Sequence, residues 1–113
     1  MTAVPGLLPY APGGLLPISA YTNQRLLAAN TAETVSIPTG AKYVAISTNI
    51  YAVVRADGVN PASLAGDVDD GTGGMPIAPG APPVVFAIAA DMPDLRVLSA
   101  GAATIGLSFY GAN

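Results

Sequence analysis

Hydrophobic and polar positions alternate along most of this chain with the two-residue period of a β-strand. ETVSIP, residues 33–38, puts Val35 and Ile37 on one face, and KYVAIST, residues 42–48, puts Val44 and Ile46 on one face with Tyr43 and Ala45 on the other. IYAVVRA, residues 50–56, sets Ile50, Ala52 and Val54 against Tyr51, Val53 and Arg55. VVFAIAA, residues 84–90, is almost continuously apolar and suits a central strand. LRVLSA, residues 95–100, alternates Leu95 and Val97 with Arg96 and Leu98. In TIGLSFYG, residues 104–111, Ile105, Leu107 and Phe109 point one way and Gly106, Ser108 and Tyr110 the other. YTNQRLLAA, from Tyr21, fits a short strand or a single helical turn; the turn residues Asn30 and Thr31 that follow favour the strand.

Turn chemistry separates these runs. Pro38, Thr39 and Gly40 form a corner, Asn49 predicts a hairpin joining residues 42–48 to 50–56, and Asp57-Gly58 ends the latter run. No stretch reads as an amphipathic helix, and the pattern predicts roughly seven or eight short strands. Because the apolar face of one sheet must be buried against another, the expected fold is all-β: an antiparallel β-sandwich or jelly-roll-like domain with an extended N-terminal arm. The last strand is expected to be integral to it.

Two segments break the alternation. Residues 1–20, MTAVPGLLPYAPGGLLPISA, carry four prolines and three glycines among apolar residues, which rules out a helix or a central strand and leaves an extended arm. Leu7, Leu8, Tyr10, Leu15, Leu16 and Ile18 are costly to leave together in water. The arm therefore either folds back over its own domain, residues 21–113, or lies on a neighbouring subunit. Residues 57–83 form the second segment, a Pro- and Gly-rich excursion containing the acidic run DVDD, and a loop of that length signals function or mobility.

Composition narrows the function. Thirteen glycines and 11 prolines without a Gly-X-Y period fit short strands and tight turns, and argue against collagen and outright disorder. A formal net charge of −3, with four scattered basic residues, Arg25, Lys42, Arg55 and Arg96, gives no footprint for nucleic acid. Without cysteine or histidine the chain has no disulfide, no thiolate chemistry and no histidine-based triad. The opening residues lack the features of a secretory signal, and VVFAIAA is about a third of the length that spans a bilayer. The expectation is a chain made in the cytoplasm, with no membrane partner.

Candidate chemistry is sparse. Asp67, Asp69, Asp70, Asp91 and Asp94 formally permit a carboxylate pair, but no aromatic cleft accompanies them and tryptophan is absent. DVDDG, residues 67–71, resembles an acidic calcium loop yet lacks its terminal glutamate; Asp67, Asp69 and Asp70 are weak metal candidates, and a solvated acidic loop fits them better. No cofactor is expected. Arg55 and Arg96 read as strand residues that meet solvent or an acidic loop residue. Tyr43 and Tyr51 flank a short predicted turn and are possible surface contacts: a sugar platform, an interface anchor, or ordinary cross-strand packing. With seven acidic and four basic residues among 113, the chain has little charge to cover an isolated domain, which favours burial of part of its surface in an assembly.

NTAETVSIPTGAKYVAIST, then IYAVVRADG, then MPIAPGAPPVVFAIA and LRVLSAGAATIGLSFYG, together residues 30–111, resemble small virion proteins of tailed bacteriophages, and among those the capsid decoration or cement proteins most. The resemblance lies in texture and strand order. It implies a β-sandwich or jelly-roll-like domain that assembles as homotrimers, or as dimers, on the head, binds the major capsid protein and stabilises capsomer junctions against internal pressure. It further implies a virion location on the capsid surface after assembly in the host cytoplasm, with residues 1–20 as a clamp to the capsid or to a sister subunit. A neck, tail or fibre-associated part and a carbohydrate-binding β-sandwich are the alternatives. An enzyme is not expected.

Overall fold

The computed structural model describes residues 8–9, 17–64 and 66–111. Nine strands follow in order: β1 (Leu8–Pro9), β2 (Tyr21–Leu27), β3 (Glu33–Val35), β4 (Tyr43–Thr48), β5 (Ala52–Arg55), β6 (Met75–Ile77), β7 (Val84–Ala87), β8 (Leu95–Ser99) and β9 (Ala103–Gly111). They form two sheets. In the first, β9 lies between β4 and β2, β4 pairs in turn with β7, and β1 continues the β2 edge by pairing in parallel with the end of β9. The second runs β3-β8-β5-β6. Every pairing except that of β1 is antiparallel. This is an all-β domain of two antiparallel sheets whose arrangement is consistent with a β-sandwich.

The predicted alternation is what builds the core. Val44 and Ile46 of β4 and Ile105, Leu107 and Phe109 of β9, at most 1% exposed, meet Val35, Ala52, Val54, Leu95 and Val97 from the other sheet. Tyr21 packs edge-on against Phe109, ring centroids 6.0 Å apart. Each of the valine, leucine, isoleucine and phenylalanine side chains gains roughly 1.5–3 kcal/mol on leaving water, so the inner faces supply most of the drive to fold.

Turns fall where polar residues and glycine place them. Asn30 takes the left-handed φ of 54° after β2, and Gly40 and Gly58 take φ of 88° and 79° at the Pro-Thr-Gly corner and the Asp-Gly turn. Asn49 behaves differently from expectation. Residues 42–48 and 50–56 do not form a hairpin, because β4 pairs with β7 and β9 whereas β5 pairs with β6 and β8. Three residues without a glycine separate β4 from β5, and local bonds hold them in a corner that carries the chain from one sheet to the other. The Thr48 hydroxyl donates to the Ile50 carbonyl at 2.6 Å and accepts from its N–H, while Asn49 exchanges backbone and side-chain bonds with Thr104. Val44 and Ile46 thus face Ala52 and Val54 across the core instead of beside them.

Two further strands arise within the segments that break the alternation. The 57–83 excursion contains β6, which pairs with β5 and sends Ile77, 1% exposed, into the core. Pro76 hides this strand from sequence reasoning, since it lacks an N–H for a ladder; β6 is an edge strand, where that loss is tolerated. β1 lies within the arm.

Candidate interaction surface

The outer face of the β3-β8-β5-β6 sheet is covered by the chain itself. Val53 of β5 and Leu98 of β8 stand opposite one another and are 3% and 4% exposed, although both point away from the core. The loop that leads into β6 lies over Val53. Gly74 approaches so closely that a Cβ there would sit 2.6 Å from the Val53 Cβ, and Pro61 is buried in the same cover.

Arginine and aspartate fasten this cover. Arg55 and Arg96 are direct cross-strand neighbours, a like-charge juxtaposition that is unfavourable unless neutralised. Arg55 pairs through two nitrogens with Asp57 and donates to the Gly71 carbonyl at 3.3 Å; Arg96 donates to Asp94 at 2.9 Å and to the Asn60 Oδ1 at 2.9 Å. The Asn30 Oδ1 accepts from the Leu64 N–H, and Ala62 donates to the Thr72 carbonyl across the loop. The hydrogen bond from Arg55 holds the Asp57 carboxyl below its ordinary value, and bonds from the Thr72 hydroxyl and N–H do the same for Asp70. The same partnerships raise the Arg55 and Arg96 guanidinium groups, Arg55 chiefly through Asp57 and Arg96 chiefly through Asp94. Both arginines thus meet acidic residues, as their strand positions suggested.

Of the acidic run, Asp67 and Asp69 are exposed and Asp70 turns back onto Thr72. Among the described residues, no three acidic side chains converge. Tyr43 and Tyr51 are both accessible, Tyr51 at 41%, but they lie at opposite ends of β4: Tyr43 is its first residue and Tyr51 follows its last, so they do not form one platform. The arm residues Leu7, Tyr10, Leu15 and Leu16 lie outside the described residues, as does the side chain of Leu8. Ile18, which is described, is 92% exposed. Just beyond it, the Ser19 hydroxyl donates to the Phe109 carbonyl at 2.6 Å and the Tyr110 hydroxyl donates to the Pro17 carbonyl at 2.8 Å, which ties the root of the arm to β9.

Two further features mark the surface of the described residues. Between β6 and β7, an apolar cleft of about 260 Å³ reaches the core residues Val44, Ile46, Val54 and Leu95, with Phe86 and Met75 among its walls. On the opposite side, Arg25 of β2 and Glu33 of β3 approach to 3.8 Å and bridge the two sheets. There β2 presents Thr22, Gln24 and Leu26 to solvent, Leu26 at 73%. These three were not singled out from the sequence; the available signal was a seven-residue strand without proline.

No family model, no characterised protein and no solved structure matches this chain. Its function is therefore argued from the fold and the surface alone.

Proposed function

We propose that the domain is a jelly roll and that the protein is a structural virion component, one that binds the outer capsid surface and stabilises capsomer junctions without catalysing a reaction. The observation that carries this reading is the strand order. With the two-residue β1 set aside, β2 pairs with β9, β3 with β8, β4 with β7 and β5 with β6, all antiparallel. These are the nested pairs of one long ribbon folded back at β5-β6 and rolled up, so that alternate pairs enter alternate sheets. Double-sheet jelly rolls of eight strands serve as viral coat and lectin domains.

Between those two uses, the surface supports the coat. A carbohydrate-binding reading would be favoured by Tyr43, Tyr51 and the acidic loop lining one exposed groove, whereas the tyrosines stand at opposite ends of β4. A coat component needs scaffold and contact surface. The fixed cover on one sheet, the exposed Ile18 at the root of an apolar arm and the low charge of the whole chain suit that role. In this reading residues 1–20 clamp the protein to the major capsid protein or to a sister subunit.

Co-sedimentation with expanded shells of the major capsid protein tests the proposal. Saturable binding in a fixed ratio to capsomers is the expected result. Absence from shells, with binding to neck or tail assemblies instead, would overturn the capsid assignment.

A further inference from the structure

We infer that β2 is a self-association edge, and that two copies of this chain join by antiparallel β2–β2 pairing about a twofold axis through Gln24. The first argument compares the outer strands. β3 and β6 have three residues each and β7 has four, whereas β2 has seven. Proline guards two of the short ones: Pro76 lies within β6, and Pro82 and Pro83 precede β7. β2 contains no proline, and its one charged residue, Arg25, faces Glu33 on the inner side. Among the described residues nothing pairs with its outer edge.

The second argument is the direction of the backbone groups. Thr104 exchanges bonds with Asn49, and the Tyr110 carbonyl accepts from Lys42, so the even-numbered residues of β9 bond toward β4. The odd-numbered ones therefore bond toward β2, where they stand opposite Tyr21, Asn23, Arg25 and Leu27. Thr22, Gln24 and Leu26 are left with N–H and C=O groups aimed outward.

A second copy satisfies all of them in one register. With Gln24 opposite its own counterpart, Thr22 of each copy faces Leu26 of the other, and about six backbone hydrogen bonds form. Asn23 then faces Arg25, whereas a dyad at Arg25 itself would oppose two like charges. The same register places Thr22 beside the exposed Leu26 of the other copy, and brings Ile18, 92% exposed, toward the residues that follow its β2. An isologous contact of this kind closes at two copies, unlike the trimer that the resemblance implies. It does not depend on the capsid reading.

Because the chain has no cysteine, single cysteines report the register cleanly. Gln24→Cys is expected to give a disulfide-linked dimer on mild oxidation, since residues on the dyad have Cα atoms about 5.5 Å apart, within the range a disulfide spans. Thr22→Cys is expected not to cross-link, because the two positions lie roughly 13 Å apart. Gln24→Pro removes an outward N–H without touching a bond to β9, and should weaken dimerisation about tenfold or more in light scattering. Should that variant fail to fold, Leu26→Asp, at an exposed site, must show the same loss. A full-length chain that is monomeric or trimeric, equal cross-linking at positions 22 and 24, or a folded variant that keeps its dimer would each overturn the inference. Shell binding is read separately, so a dimer that ignores shells removes the capsid assignment and leaves this contact standing.

Discussion

At the residue scale, burial decides which substitutions matter. Ile46 is 0% exposed between the sheets, whereas Asp69 is an exposed loop residue. Ile46→Asp places an unpaired charge in the core and should cost at least about 4 kcal/mol, enough to unfold a small domain; Asp69→Asn should stay within about 0.5 kcal/mol. Denaturant midpoints of the two variants check this, and equal midpoints would contradict the core placement. Gly74 gives a sharper case. An added methyl would lie 2.6 Å from Val53 Cβ and 2.9 Å from its Cγ2, so Gly74→Ala should destabilise by about 1–3 kcal/mol through displacement of the loop cover. A midpoint equal to that of the natural chain would mean that the cover does not pack on Val53.

At the element scale, the strands were legible where alternation was strong and obscure where one residue type masked it. In β9, Ile105, Leu107 and Phe109 read as an inward row and all three are 0% exposed. β6 is hidden by Pro76, and nothing in the local pattern reveals that a loop folds over its partner Val53. The sequence predicts a hairpin at Asn49 because two adjacent apolar runs pair most simply with each other; the local bonds of Thr48 to Ile50 and those of Asn49 to Thr104, far along the chain, decide otherwise. The cover also has a pH signature. Asp57 and Asp70 titrate below the 3.8 of a free aspartate, so their stabilising effect is complete above that value and is lost as pH falls through the lowered ones. Asp57→Asn should therefore be less stable than the natural chain at neutral pH and should lose less stability on acidification from about pH 5 to pH 2. Denaturation midpoints across that range that run parallel for the two proteins would contradict the Arg55–Asp57 fastening.

At the scale of the whole molecule, the four nested pairs tie the two ends of the domain together. Its longest pairing joins β2 to β9, so its first long strand is held by its last, and the polar loop is committed to covering one sheet. Among the described residues, β2 is the longest strand with an unpaired outer edge, and Ile18, just before it in the chain, is exposed. The candidate surface was only half legible in the sequence: the apolar arm stood out by composition, but the unguarded edge became visible only once strand order showed which strands lie outermost. If the arm clamps the capsid, deletion of residues 1–20 should abolish co-sedimentation with shells while the remaining domain still unfolds cooperatively; retained binding would place the contact elsewhere on the domain. Reinforcement of a pressurised shell, as proposed, is tested most directly by the temperature at which filled heads release their DNA, measured with and without saturating protein. Release several degrees higher is expected when the protein is bound. An unchanged release temperature at saturation would contradict it.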